Sequence, residues 1–107
     1  MGERTNSDWL EALRGPEQGE ALADLQRIVM RGLQHGLTGW PEVTNADRED
    51  FTQETLLKVL AELDSFRGES QFTTWVQKIA VRVALTELRH KRWQDTSLQS
   101  LLEQYEG

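Results

Sequence analysis

The stretch DSFRGESQFTTWVQKIAVRVALTELRHKRW, residues 64–93, decides how this chain is read. It opens on a polar loop holding Arg67, Gly68, Glu69 and Ser70. It then runs from Gln71 to Trp93 without glycine or proline, the pattern of a helix. Ser70 is placed to cap the first turn, its hydroxyl accepting from backbone N–H groups that have no partner within the helix. At about 100° per residue, Val76, Ile79, Ala80, Val83 and Ala84 fall on one side, and Val81, Leu85 and Leu88 continue the apolar surface. The remaining strip carries Trp75, Lys78, Arg82, Thr86, Arg89 and Trp93. Such a helix is expected to be largely buried, with one basic and aromatic strip left open. A basic strip by itself is ordinary solvated surface.

The distribution of charge argues for more than solvation. Residues 1–66 hold 6 Lys+Arg against 13 Asp+Glu, residues 67–93 hold 6 against 2, and residues 94–107 hold none against 3. A cationic island in a chain of net charge −6 is the pattern of a localised anion site. The overall acidity argues against indiscriminate binding to duplex DNA, so the chain is expected to need a partner to hold it on nucleic acid.

The rest of the chain reads as helices. With 107 residues, 37% of them hydrophobic, one domain with a real core is expected. Ser7 is placed to cap a short helix from Asp8 to Arg14, with Trp9, Leu10 and Leu13 on its apolar face; Gly15-Pro16 stops it. Pro16 suits the first position of the next helix, which runs to about Gln34 on Leu22, Leu25, Ile28, Val29 and Leu33, with Gly32 a mild weakness. HGLTGWPEVTN, residues 35–45, then reads as a loop or helix end, with Trp40 clamping the core. Thr44, Asn45 or Asp47 caps a third helix to about Leu63. Its Thr52, Leu56, Val59, Leu60 and Leu63 face inward; Asp50, Gln53, Glu54 and Leu57, with Asp47 and Ala61, share the opposite face. After Gln94-Asp95, Thr96 and Gln99 form a capping-box pattern for a last short helix to about Gln104. The expected architecture is all-α: a small bundle of about four main helices plus a short C-terminal helix.

No catalytic constellation assembles. His35 and His90 are far apart, there is no cysteine, and one glycine in Arg67-Gly68-Glu69-Ser70 does not make a phosphate loop. The carboxylates at positions 47, 49, 50 and 54 are explained by their place at a helix start. An enzyme is not expected, nor a metal or cofactor. The absence of cysteine suits the cytoplasm, the polar start MGERTNSD is not expected to act as a signal peptide, and no apolar run approaches membrane-spanning length. A helix-turn-helix reader fits poorly, because the loop before the basic helix is too long and the helix too apolar to lie free in a major groove. A bundle helix offering one edge to unwound DNA fits better, with bases stacking on rings while cations follow phosphates.

Three phrases then carry a resemblance. Asp47-Arg48-Glu49-Asp50-Phe51-Thr52-Gln53-Glu54, Leu63-Asp64-Ser65-Phe66-Arg67-Gly68-Glu69-Ser70 and Phe72-Thr73-Thr74-Trp75 resemble, in order and spacing, region two of bacterial sigma factors of the extracytoplasmic-function type. The likeness covers about residues 45–98, within a region-two-like domain at 1–95 and the start of an interdomain linker at 96–107. It implies that Asp47, Asp50, Gln53, Glu54 and Leu57 dock on the clamp helices of the RNA polymerase β′ subunit. It implies that the loop from Phe66 to Phe72 captures a base flipped from the non-template strand of the −10 element. Ser70 would hydrogen-bond, Phe72 and Trp75 would offer rings, and Arg67 charge. Lys78, Arg82, Arg89, Lys91 and Arg92 would follow the strand backbone.

The chain departs from the family pattern in two ways. Many relatives carry Asn where this chain has Arg82, and Asp or Asn where it has Thr86, so no −10 sequence transfers. Nothing here resembles the region that reads the −35 element, and an excised domain is expected. The competing expectation is a helical protein-interaction module, held by an anti-sigma partner and without DNA function.

Overall fold

Four α-helices and one 3₁₀ turn make up the computed structural model, which describes residues 4–106 and side chains through His90. The helices are α1 (Asn6–Arg14), α2 (Gln18–Gly36), α3 (Asn45–Ala61) and α4 (Phe72–Glu106); the 3₁₀ turn is Leu63–Ser65. All-α architecture is what the hydrophobic spacing predicts.

The same device starts two of the helices. Thr5 precedes α1, its hydroxyl accepting from the Asp8 N–H at 3.1 Å while the Asp8 carboxylate accepts from the Thr5 N–H at 3.0 Å. Thr44 and Asp47 repeat the arrangement ahead of α3, at 3.1 and 3.0 Å. Each box satisfies two orphan donors and puts a carboxylate at the positive end of the helix dipole. The cap of α1 is therefore Thr5 and not Ser7, because only Thr5 has an acidic partner three residues on. For α3, Thr44 is chosen from the three candidates.

Pro16 is not the first residue of α2. It sits inside a turn closed by the Gln18 N–H on the Gly15 C=O at 3.2 Å, and α2 begins two residues later. Its fixed φ suits the second residue of such a turn as well as a helix start. At the other end, α2 continues through His35 to Gly36, and the loop behind it buries Leu37 and Val43 and packs Trp40 against the core.

Helices α2, α3 and α4 pack against one another, and α1 lies on α2. Leu25, Val29 and Leu33 of α2, Phe51, Leu56 and Val59 of α3, and Val76, Ile79, Ala80, Val83, Ala84 and Leu88 of α4 form the shared interior. Full burial of each of the larger side chains contributes roughly 1.5–3 kcal/mol. Two threonines of α3 also lie inside. Thr52 donates to the Arg48 C=O at 2.8 Å and Thr55 to the Phe51 C=O at 2.7 Å, so neither hydroxyl is left unpaired.

The inward side of α4 is narrower than its apolar sequence predicts. Val81 is 50% and Leu85 40% exposed, whereas Leu88 is buried. The partners α2 and α3 cover only part of the helix circumference, so two aliphatic residues stay outside. Helix α4 also continues through Gln94–Asp95 to Glu106, so the expected short C-terminal helix is not separate.

Candidate functional site

Between the 3₁₀ turn and α4 lies a six-residue loop, 66–71, whose tip is Arg67-Gly68-Glu69. Gly68 has φ 76°, in the left-handed region that a side chain disfavours, and no heavy atom lies within 4 Å of where its Cβ would be. The backbone there requires glycine for its conformation and not for space. Arg67 and Glu69 are exposed, and Ser70 is half-buried.

Ser70 is not the cap of α4. Its hydroxyl donates to the Gln71 C=O at 3.1 Å, and the first helical N–H is satisfied from elsewhere. Asn6, at the start of α1, accepts from the Phe72 N–H at 2.7 Å and donates through Nδ2 to the Ser70 C=O at 3.0 Å. A side chain 66 positions away thus replaces the local cap.

Four rings gather behind the loop. Trp9 stacks on Phe72 with centroids 5.7 Å apart, Phe66 meets Phe72 edge-on at 5.2 Å, and Trp75 lies 5.2 Å from Phe66 and 5.5 Å from Phe72. Phe72 is only 1% exposed, so it has no ring face to offer a base. Its expected place among the stacking residues gives way to a supporting one: it is the hub against which the half-buried Phe66 and Trp75 are held.

Along α4 from this cluster, Lys78, Arg82, Thr86 and Arg89 are all exposed on the strip that continues from Trp75. No carboxylate hydrogen-bonds or ion-pairs with Lys78, Arg82 or Arg89 among the described residues. Val81 and Leu85 lie at the edge of the same strip, giving it two apolar patches beside three cations. Lys91 and Arg92 lie outside the residues whose side chains are described.

The outer face of α3 is a second surface. Asp50 and Gln53 are exposed, Asp47 and Glu54 half-buried, and Leu57 is 68% exposed, the most open large hydrophobic residue among those described. Asp47, Asp50 and Glu54 border a shallow cleft of about 420 Å³ with Glu87 and His90 of α4 across from them. The cleft therefore gathers four carboxylates from two helices, and Leu57 lies further along α3 outside its lining; carboxylates so gathered complement a cationic partner. Asp47 also serves the α3 capping box, so one of these carboxylates has a structural task.

A hollow of about 1170 Å³ between α1, α2 and the first turn of α4 brings together residues that the sequence reading did not single out. Arg4, Arg27, Arg31 and His35 line it with Asp24. Arg4 and Arg27 both pair with Asp24, and the Arg4 hydrogen bond, ahead of the other charges, holds that carboxyl below the usual carboxylate range. The cations of α2 escape notice because the first two-thirds of the chain is acidic in sum. Among the described residues no three or more His, Cys, Asp or Glu side chains are arranged so that they could hold a metal ion, and no described helix is long and apolar enough to cross a membrane.

Residues 21–94 match the family described as Sigma-70 region 2. The chain is 48% identical over 42 residues to the ECF RNA polymerase sigma-E factors of Escherichia coli K12 and Salmonella typhimurium LT2. Its identity to the Haemophilus influenzae sigma-E factor is 45% over the same length. Each match spans 39% of this chain and 22% of the relative. No solved structure gives a significant match.

Proposed function

The chain belongs to the Sigma-70 region 2 family, and from that premise we propose that it is the part of a sigma factor that docks on core RNA polymerase and holds the opened −10 element. The role is one of binding and not of catalysis. In this reading Asp47, Asp50, Gln53, Glu54 and Leu57 meet the clamp helices of β′ in the cytoplasm. Arg67 and Ser70 of the loop, with the rings of Phe66 and Trp75, receive a base from the non-template strand. Lys78, Arg82, Thr86 and Arg89, continued by Lys91 and Arg92, follow its backbone. Binding extruded bases offsets the cost of unpairing, a few kcal/mol per base by analogy with base flipping.

One observation carries this reading: Lys78, Arg82 and Arg89 of α4, with no carboxylate partner among the described residues, form an exposed strip that begins at the half-open aromatic rings beside the loop. Rings that stack and cations that track phosphates are the two components of single-strand binding, and a protein with 18 Asp+Glu against 12 Lys+Arg has placed them on one side.

A second reading has an observation of its own. Val81 and Leu85 are half-exposed at the edge of that strip, as a protein partner covering α4 would require, and a sequestering anti-sigma protein is such a partner.

The test is binding of the chain to a purified β′ clamp-helix fragment, beside a folded Gln53→Ala/Glu54→Ala variant, followed by strand-selective capture of −10 DNA with core polymerase present. The proposed function predicts clamp binding that the variant loses and preference for the non-template strand. Clamp binding without strand preference supports the interaction module instead.

A further inference from the structure

Helix α1 lies outside the residues that match the family, yet it touches the loop 66–71 at both ends. Arg14, in its last turn, pairs with Asp64 just before the loop at 2.5 Å. Asn6, in its first turn, holds the Ser70 C=O and the Phe72 N–H just after it. Between them Trp9, buried in the same helix, stacks on the hub ring of Phe72. From Asn6 to Arg14 a helix rises about 12 Å, so one rigid element spans the loop's two anchor points. The tip, Arg67-Gly68-Glu69, lies open between them.

These contacts are unequal. The Arg14–Asp64 pair is exposed on both sides and contributes little. The Asn6 contacts are partly buried, are made to backbone, and use both ends of one amide. A side-chain amide that donates to one residue and accepts from another two positions on fixes the backbone between them. It thereby sets how the loop enters α4.

We propose that α1 acts as a strap that sets the shape of loop 66–71, with Asn6 as the positioning residue, and that through this shape it governs which base the loop accepts. The second half of the proposal rests on the strand-binding function proposed above. A loop already held in its binding shape loses less freedom when a base enters it, which favours affinity and selectivity together. Asn6 touches no nucleotide in this scheme; it acts through Ser70 and Phe72.

Two variants separate the contributions of the amide. Asn6→Asp keeps an acceptor for the Phe72 N–H but loses the donor to the Ser70 C=O; Asn6→Ala loses both. Amide hydrogen exchange on the full chain reads the strap directly. At residues 70–73, exchange is expected to accelerate about tenfold or more in Asn6→Ala, as a locally opened segment does, and less in Asn6→Asp. The inner amides of α2 and α3 should keep their wild-type protection. The second readout is a randomised single-stranded DNA pool captured by the chain with a β′ clamp-helix fragment bound. Wild type is expected to enrich one base at one position. Asn6→Ala should flatten that preference about tenfold while retaining the clamp fragment and its salt-dependent hold on DNA. Loss of a merely structural contact would lower stability without touching base preference in the folded protein.

Unchanged exchange at 70–73 in Asn6→Ala overturns the strap. Faster exchange with a base preference equal to wild type overturns the link from loop shape to selectivity. If wild type itself shows no base preference, the strand-binding function fails, and the exchange data alone decide whether α1 holds the loop.

Discussion

The side-chain amide of Gln77 in α4 fills the space that a Cβ on Gly32 of α2 would take. The Gln77 amide uses that gap to donate to the Ile28 C=O at 2.9 Å. A glycine that weakens α2 by its backbone freedom thus admits a polar bridge between two core helices. Gly32→Ala should gain about 0.8–1.0 kcal/mol of helix propensity and lose a bridge contributing about 0.5–1.5 kcal/mol. Little net change is expected in the wild-type background. In a Gln77→Ala background the same substitution should stabilise by close to the full propensity term. A double-mutant cycle by chemical denaturation checks this; additive effects would show that the two residues do not compete.

Leu57 is exposed and belongs to no packed cluster. Leu57→Ser should change stability by no more than about 0.5 kcal/mol while weakening clamp-helix binding by at least 1 kcal/mol, about what a truncated interface anchor costs. Denaturant melts and calorimetric titration with a β′ fragment give the two numbers. Asp47→Ala should behave differently, lowering stability by about 1 kcal/mol as well, because it breaks the α3 capping box.

Two carboxyls tie stability to pH. The backbone N–H of Thr5 holds Asp8 below the usual carboxylate range, and hydrogen bonding from Arg4 does the same for Asp24. A folded pKa below the unfolded one contributes stability that is present above the unfolded value and is lost as pH falls through the folded value. Melting temperature should therefore decline as pH is lowered from about 5 towards 2, on the ordinary Asp scale. Asp24→Asn should show a shallower decline, and a wild-type slope in that variant would remove Asp24 from the account.

Phe72 and Trp75 sit 5.5 Å apart but face different environments. Phe72→Ala removes a buried hub and should destabilise by about 3–5 kcal/mol. Trp75→Ala should cost less in stability, because the ring is only half-buried. It should nevertheless weaken single-strand binding by about 1–3 kcal/mol, the range of base–aromatic stacking. Thermal melts beside strand capture, at a temperature where both variants are folded, distinguish the two roles.

The exposed cations of α4 should act through charge alone. Lys78→Ala and Arg89→Ala should each reduce the slope of log K against log salt by about 0.7, the value for one phosphate contact on a single strand. Base preference should be unchanged. Variants that leave the slope as it is would show that the strand does not run along this strip.

Much of this protein was legible along the chain. The helical spacing of Leu25, Val29 and Leu33, and of Val76, Ile79, Ala80 and Val83, depends only on the period of the backbone, and these residues are buried as that period requires. The phrases at 47–54, 63–70 and 72–75 identify the family for the same reason: they are contiguous and read without knowing what lies opposite. Exposure of Leu57 follows from its face on α3.

What depended on distant partners was not legible. The local rule offered Ser7 and Ser70 as caps, but Thr5 had the acidic partner that Ser7 lacks and Asn6 reached Phe72 from 66 residues away. The family resemblance marked Phe72 as an aromatic free to stack, and the packing of Trp9, Phe66 and Trp75 around it removed its open face. Helical spacing placed Val81 and Leu85 on a buried side that α2 and α3 proved too narrow to cover. Sequence alone determined the helices and the family, because period and contiguous motif are properties of one segment. Tertiary structure decided which rings stay open and what holds the loop, because burial and long-range capping exist only once separate segments meet.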